Sequence, residues 1–269
     1  MNHCDVIVIG GGIAGVSVAY ELAADRAVCL LEMEATLAFH TTGRSAATFL
    51  ESYGGPIIRR LTVSSRAFFE SPADTFDTPL MTPRPLLWLA PVGSGDDVRA
   101  LEAEVKPLVP SVRLVDPDEA VAMNPILRRE HVELCMLEPG ATELDVSALH
   151  QGYVRGLRAR GGATDVSAHV VALTRAGRNW RATTHAGDEY EAPVVVNASG
   201  AWGDVVATMA GVPRVGLHPL RRTLFTVSAP AGVDSANLPL TADVAGTFYV
   251  KPEGTQYLCS PADETPSEP

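Results

Sequence analysis

Basic residues are scarce: 21 Lys and Arg stand against 32 Asp and Glu in 269 residues, a formal net charge of -11. A surface of that sign repels phosphate backbones and anionic headgroups, so neither a nucleic acid nor a membrane surface is expected as a partner. Cysteine is sparse as well. The four, Cys4, Cys29, Cys135 and Cys259, lie far apart with no C-x-x-C pair, which argues against a disulfide framework or thiolate metal site and for a cytoplasmic protein. No apolar run approaches the roughly 18 to 20 residues that span a bilayer. The N-terminus has no Lys or Arg before its first apolar stretch, which three glycines interrupt, so no signal peptide is expected. The seven histidines contain no H-E-x-x-H or close ligand pair, and no metal is expected. A G-x-S-x-G elbow is missing too, and Ser45 and Ser199 read as turn residues rather than nucleophiles. Apolar residues, by contrast, make up 46% of the chain, enough for one large core or two modest ones and incompatible with disorder.

The first forty residues carry the clearest pattern. Val6-Ile7-Val8-Ile9 reads as a buried strand, Gly10 to Gly12 as a turn, and a helix follows from about Ile13. Its Ile13, Val16, Tyr20 and Ala23 share one face, expected to pack on a sheet. Ala27 to Leu31 forms the second strand. Gly10, Gly12 and Gly15 spell G-x-G-x-x-G between strand and helix, and Glu32 closes the next strand. Gly10 permits the tight turn, Gly12 lets backbone approach a pyrophosphate, and Gly15 allows helix to pack on strand, while the helix N-terminus offers free N–H groups and a positive dipole end. A carboxylate at Glu32 accepts from ribose hydroxyls and disfavours a 2′-phosphate, which leaves NAD and FAD ahead of NADP. Glycines that merely mark a turn are the plainer alternative.

Further along, prolines break the chain between Ser52 and about Asp118 into short elements. One helix is expected over Arg59 to Glu70 and another from an Asp145 cap to Gly161-Gly162. Strands are expected over Ala168 to Thr174, Trp180 to Thr184 and Val194 to Val196. Two more, Arg221 to Val227 and Thr247 to Lys251, alternate as half-wet strands. The acidic tail Pro261 to Pro269 reads as a loop.

Two segments separate the cofactors. Phe39-His40-Thr41-Thr42-Gly43-Arg44-Ser45-Ala46-Ala47 and Val195-Val196-Asn197-Ala198-Ser199-Gly200-Ala201-Trp202 resemble the FAD-dependent D-amino-acid oxidase/dehydrogenase superfamily, which includes glycine and sarcosine oxidases. Leu149-His150-Gln151-Gly152-Tyr153, Arg221-Arg222 and Tyr249-Val250-Lys251-Pro252 extend the resemblance over nearly the whole chain and make it most similar to the D-arginine dehydrogenase branch. The resemblance implies an α/β fold: a Rossmann-like FAD-binding domain from 1–81 and 140–216, joined to a β-sheet-rich α+β substrate domain from 82–139 and 217–269. The second domain is expected to be partial, because chains of this superfamily continue past the match to Ser260-Pro261-Ala262-Asp263-Glu264 with further strands, another arginine and a glycine-rich loop over the flavin ring. For FAD, the resemblance implies contacts from Gly10, Gly12, Ile13, Ala14, Gly15, Glu32 and Met33. It adds the loop Thr41, Thr42, Gly43, Arg44, Ser45, Ala46, Ala47 and Thr48, the backbone near Val170, and Gly200 and Trp202.

Flavin oxidation of an amino acid needs the carboxylate held and the Cα–H aimed at flavin N5. A guanidinium forks onto a carboxylate and stays charged. Arg221 and Arg222, adjacent in an expected strand, point to opposite faces; the resemblance selects Arg222, and it gives Tyr53 and Tyr249 hydrogen bonds to the substrate. Where the D-arginine branch has a glutamate after Arg84-Pro85, this chain has Leu86, and Thr48 stands in place of a histidine. A cation facing Leu86 would lose its hydration without a partner, so a D-amino acid with an uncharged side chain is expected. Its oxidation gives the imine and then the 2-oxo acid, with oxygen or a quinone as electron acceptor. An NAD-dependent dehydrogenase and a non-catalytic, truncated FAD-binding remnant are the alternatives.

Overall fold

A computed structural model describes all 269 residues. Four parallel strands make the first sheet, in the order Ala163–Asp165, Val28–Leu31, Val6–Ile9, Val194–Asn197. All four residues of Val6–Ile9 are buried because both faces of this sheet are covered. Alternation along the strands divides the side chains. Val6, Val8, Val28 and Leu30 meet Val16 and Ala19 of helix Ile13–Leu22, and Val154 and Leu157 of helix Val146–Ala159. Ile7, Ile9 and Leu31 face the other way, onto Val170, Leu173, Ala182, Tyr190 and Ala192. Those come from a second sheet ordered Asn2–His3, Glu189–Ala192, Asn179–Thr184, Val170–Ala176. Val16 and Ala23 pack on the first sheet as expected. Tyr20 instead turns to the neighbouring helix, with its ring 5.5 Å from that of Tyr153 and the Arg160 guanidinium 3.7 Å above it.

Seven strands form the largest sheet: Phe225–Ser228, Gln256–Ser260, Tyr249–Glu253, Leu240–Asp243, Leu86–Pro91, Val132–Glu138 and Arg113–Val115. Only Leu240–Asp243 beside Leu86–Pro91 is a parallel pair; the other ladders are antiparallel. Helix Gly95–Val105 covers one face through Val98 and Val105, and helix Pro117–Met123 contributes Ala120 to the core on the other. A short sheet, Thr48–Phe49, Thr142–Leu144, Met81–Pro83, completes the assembly. No helix is long and apolar enough to cross a membrane.

Two expected strands are corrected. The stretch from Arg221 to Val227 is split: Leu220–Arg221 pairs with Thr265–Pro266, and Phe225–Ser228 with Gln256–Ser260. Between them the Asp263 carboxylate accepts from the Thr223 N–H at 2.6 Å and hydroxyl at 3.0 Å. That side chain takes the place of a ladder partner, so Arg222 lies outside any strand, and the tail supplies a strand rather than only a loop. The strand expected from Ala168 begins at Val170, because Ser167 turns to φ 54° and the N–H groups of Ser167 and Ala168 donate to the carbonyls of Glu34 and Glu32.

Helix Val146–Ala159 is capped as its sequence predicts, the Asp145 carboxylate accepting from the Ala148 N–H at 2.7 Å. A Cβ on Gly152 would overlap the Phe76 ring. Gly152→Ala should therefore lower the urea midpoint at unchanged m, a cost of about 1–3 kcal/mol. His150, one turn into the helix, is 2% exposed, and its Nε2 lies 2.9 Å from the Gly11 carbonyl oxygen. Burial pushes this imidazole below its ordinary 6.5. The unfolded chain takes up a proton near that value, while the folded chain refuses it until lower pH, so stability falls as pH drops below about 6.5. Urea unfolding followed from about pH 8 to about pH 5 should show that loss, with a shallower slope in His150→Gln.

Candidate functional site

The strand Val6–Ile9 ends at Gly10, whose φ of 109° is open to glycine and strained for any other residue. A Cβ there would lie 2.5 Å from the Ala198 carbonyl oxygen, and one on Gly15 would overlap the Gly10 carbonyl oxygen. Strand, helix and the end of Val194–Asn197 thus meet backbone to backbone. Gly11 sits at the centre of a hydrogen-bond set. Its N–H donates to Glu32 Oε2 at 2.7 Å, and its carbonyl accepts from His150 Nε2 at 2.9 Å and the Ala38 N–H at 3.2 Å. Glu32, buried to 7% exposure, accepts through Oε1 from the Glu34 N–H at 2.9 Å. One bond at each oxygen leaves the carboxylate further lone pairs.

Helix Ile13–Leu22 starts at Gly12 with no side-chain cap and no acidic residue in its first turn. No carboxylate of its own first turn offsets its positive end, which suits a diphosphate. A Cβ on Gly12 would come within 3.1 Å of Thr42 Oγ1, and that hydroxyl accepts from the Ile13 N–H at 3.0 Å. These residues fit an adenosine diphosphate: a side-chain-free turn, an uncapped helix, and a carboxylate at the end of the second strand.

Other residues expected at the cofactor lie around this turn. Thr41, Thr42, Gly43 and Arg44 form a 3-10 turn rather than an open loop. Arg44 Nε donates to the Phe39 carbonyl at 3.2 Å. Ala14 is exposed and Met33 half-buried. The Trp202 ring lies 4.7 Å from that of His40, whose Nε2 is 2.9 Å from Glu34 Oε1, so Gly200-Ala201-Trp202 is drawn to the segment after Glu32. Val170 is buried between the two sheets.

Beyond Arg44 the same stretch walls a cavity of about 390 Å³. Ser45, Ala46 and Ala47 line one side, and Glu143, Asp145, Lys251 and Glu253 another. Thr48 runs alongside Glu143 in the short sheet. The buried Lys251 Nζ lies 3.2 Å from Glu143 Oε1 and 2.7 Å from Glu253 Oε2, and Arg84 Nε lies 3.3 Å from Glu143 Oε1. Sequence reasoning passed over this charged group, although Lys251 stands two residues after Tyr249 in one strand and so on the same face.

The three residues expected at the substrate do not line that cavity. Arg222 is exposed, its Nη2 2.8 Å from Glu264 Oε1. Tyr53 is 55% exposed. Tyr249 is half-buried against the Leu86–Trp88 core. The turn carrying Tyr53 is pinned from beneath: the fully buried Glu138 carboxyl accepts from the Glu51 N–H at 2.8 Å, the Ser52 N–H at 3.3 Å and the Ser52 hydroxyl, which itself accepts from Trp88 Nε1 at 2.7 Å. Burial holds the Glu138 pKa above the usual carboxylate value. Leu86 requires a correction. It is 0% exposed, within a core that includes Trp88, Ala90, Met136 and Leu240, so it faces no ligand, and the case it made for an uncharged substrate side chain falls.

Solved structures share this fold. The glycine oxidase structure of Geobacillus kaustophilus superposes with a TM-score of 0.83 at 19% identity, covering 99% of this chain and 73% of that one. The L-proline dehydrogenase of P. horikoshii gives 0.83 at 19% identity, over 96% of this chain and 69% of that one. In sequence, human mitochondrial dimethylglycine dehydrogenase is 25% identical over 268 residues, and this chain spans 97% of itself but 30% of that protein. Mouse FAD-dependent oxidoreductase domain-containing protein 1 is 27% identical, with 64% of its length covered. The family described as FAD dependent oxidoreductase matches residues 5–269. With the glycine turn, Glu32 and the uncapped helix in place, the cofactor is FAD rather than NAD, and the chain belongs to the FAD-dependent oxidoreductase family.

Proposed function

We propose that this chain forms the cofactor crevice and part of the substrate chamber of an enzyme that oxidises an α-amino acid, of the D series, to its imine. The observation that carries the reading is the continuity of one segment: Thr42 accepts from the first turn of the dinucleotide helix, and Ser45 to Ala47, a few residues on, wall the charged cavity. A ligand in that cavity lies next to the stretch that runs past the cofactor. Bound FAD supplies a two-electron acceptor for the hydrogen on the substrate Cα. Glu32 holds the adenosine end through its remaining lone pairs, and the glycine turn admits the diphosphate.

The cavity presents one buried ammonium and three carboxylates, a field that suits a zwitterion. Arg222, which does not line this cavity, is the carboxylate holder that the resemblance implies. Its partner Glu264 is 65% exposed, and an ion pair at the surface is weakly held, so the guanidinium is free to exchange that carboxylate for a substrate's. The small amino acids in the names of glycine oxidase, L-proline dehydrogenase and dimethylglycine dehydrogenase support the substrate class. The resemblance to the D-arginine dehydrogenase branch supports the D series. The imine hydrolyses in water, and oxygen or a quinone then takes the electrons.

Titration of the apoprotein with FAD, followed by flavin fluorescence, should show saturable binding, and NAD in excess should not displace it. Glu32→Ala should weaken FAD binding about tenfold or more, since a charged acceptor of hydroxyls is worth roughly 1.5–3 kcal/mol. Anaerobic mixing of the FAD complex with a panel of D- and L-amino acids tests the reaction. Loss of the oxidised-flavin absorbance with a D-amino acid and not with its L-enantiomer is expected; bleaching by no member of the panel defeats the proposal, and bleaching by L-amino acids alone defeats its D assignment. Arg222→Met should raise the amino-acid concentration for half-bleaching about tenfold.

A further inference from the structure

The buried His150 takes no part in the reading above, and packing does not account for it. Gly11 O accepts only, so Nε2 must carry the imidazole proton, and Nδ1 is left as a buried atom with no partner. An orphaned buried acceptor costs free energy that an aliphatic side chain of similar size would avoid. What the histidine does supply is a donor to one particular peptide. The carbonyl of Gly11 and the N–H of Gly12 belong to the same planar trans unit, so they point in opposite directions. Holding Gly11 O toward helix Val146–Ala159 turns the Gly12 N–H away from it, and that N–H has no acceptor within the protein. Between two glycines a peptide plane is otherwise free to rotate at little steric cost.

We infer that His150 is a positioning residue for FAD, fixing the Gly11–Gly12 peptide so that the Gly12 N–H is presented to the cofactor rather than turned inward. The inference rests on the FAD reading of the glycine turn. Ala38 donates to the same carbonyl at 3.2 Å, so the plane keeps one anchor when the histidine is lost, and the effect is a weakening of binding rather than its abolition. His150 stands 139 residues from Gly11 in sequence, which makes the helix Val146–Ala159 a part of the cofactor site although no residue of it has been assigned a contact there.

The test compares three substitutions at a pH of about 8, where the imidazole is neutral: His150→Leu, which removes the donor; His150→Gln, whose amide nitrogen reaches about as far as Nε2; and His150→Asn, which is polar but too short to reach Gly11. FAD affinity is read from flavin fluorescence, and folding of each apoprotein from far-ultraviolet circular dichroism. His150→Leu and His150→Asn should bind FAD about tenfold more weakly than the parent, and His150→Gln should recover most of that loss. If His150→Leu does not fold, the contrast between Gln and Asn decides alone. Equal affinity in parent and His150→Asn overturns the inference, as does His150→Gln binding no better than His150→Asn. A parent protein that binds no FAD overturns instead the cofactor reading on which it rests.

Discussion

Three stretches of main chain meet at Gly10, Gly15 and Ala198 with no room for a side chain between them. That close approach sets where helix Ile13–Leu22 begins relative to the ends of Val6–Ile9 and Val194–Asn197, and every other part of the crevice is placed from it. Glu32 reaches Gly11 because Val28–Leu31 pairs in register with Val6–Ile9. Thr42 reaches Ile13 because the helix start is where the close approach puts it. Enlarging Gly10 or Gly15 would act on the cofactor crevice and on the sheet together.

The arrangement separates two tasks by chain segment. Backbone groups and one carboxylate shape the crevice proposed for the dinucleotide, and their positions follow from parallel-strand geometry that is buried on both faces. Charged side chains serve the cavity, and they come from strands of two different sheets: Lys251 from Tyr249–Glu253 in the seven-stranded sheet and Glu143 from Thr142–Leu144 in the short one. A rigid platform with variable side chains at its mouth is a familiar division in α/β proteins, where the chemistry differs more than the scaffold.

Local signals were legible in the sequence, and contacts between distant segments were not. The run Val6–Ile9, the G-x-G-x-x-G spacing, Glu32 and the Asp145 cap each depend on neighbours within a few residues or one βαβ unit, and the structure shows each of them. The break at Arg222 depends on Asp263, 40 residues on; alternation predicts a strand there, and only the tertiary partner ends it. Tyr20 sits on the sheet-facing side of its helix by periodicity, yet it turns to Tyr153 and Arg160, because the sequence gives no sign of which helix lies beside it. Leu86 shows the limit of carrying a residue across by motif: the resemblance implies a ligand-facing side chain at this position, but here it is closed into the core. Nothing in the sequence joins His150 to the glycine turn, and its partner Gly11 is the one glycine of that turn outside the spacing rule.

The strand order also bears on how the chain acquires this shape. Leu86–Pro91 waits for Leu240–Asp243 as its parallel neighbour, and Val6–Ile9 waits for Val194–Asn197. Each sheet is therefore completed by residues that leave the ribosome well after its first strands, and the two closures overlap along the chain, so neither unit has a finished edge when the other begins. Non-local pairing of this kind slows folding and leaves unpaired strand edges exposed in the meantime. Newly synthesised chains should thus depend more on chaperones than a protein of this length with sequential domains.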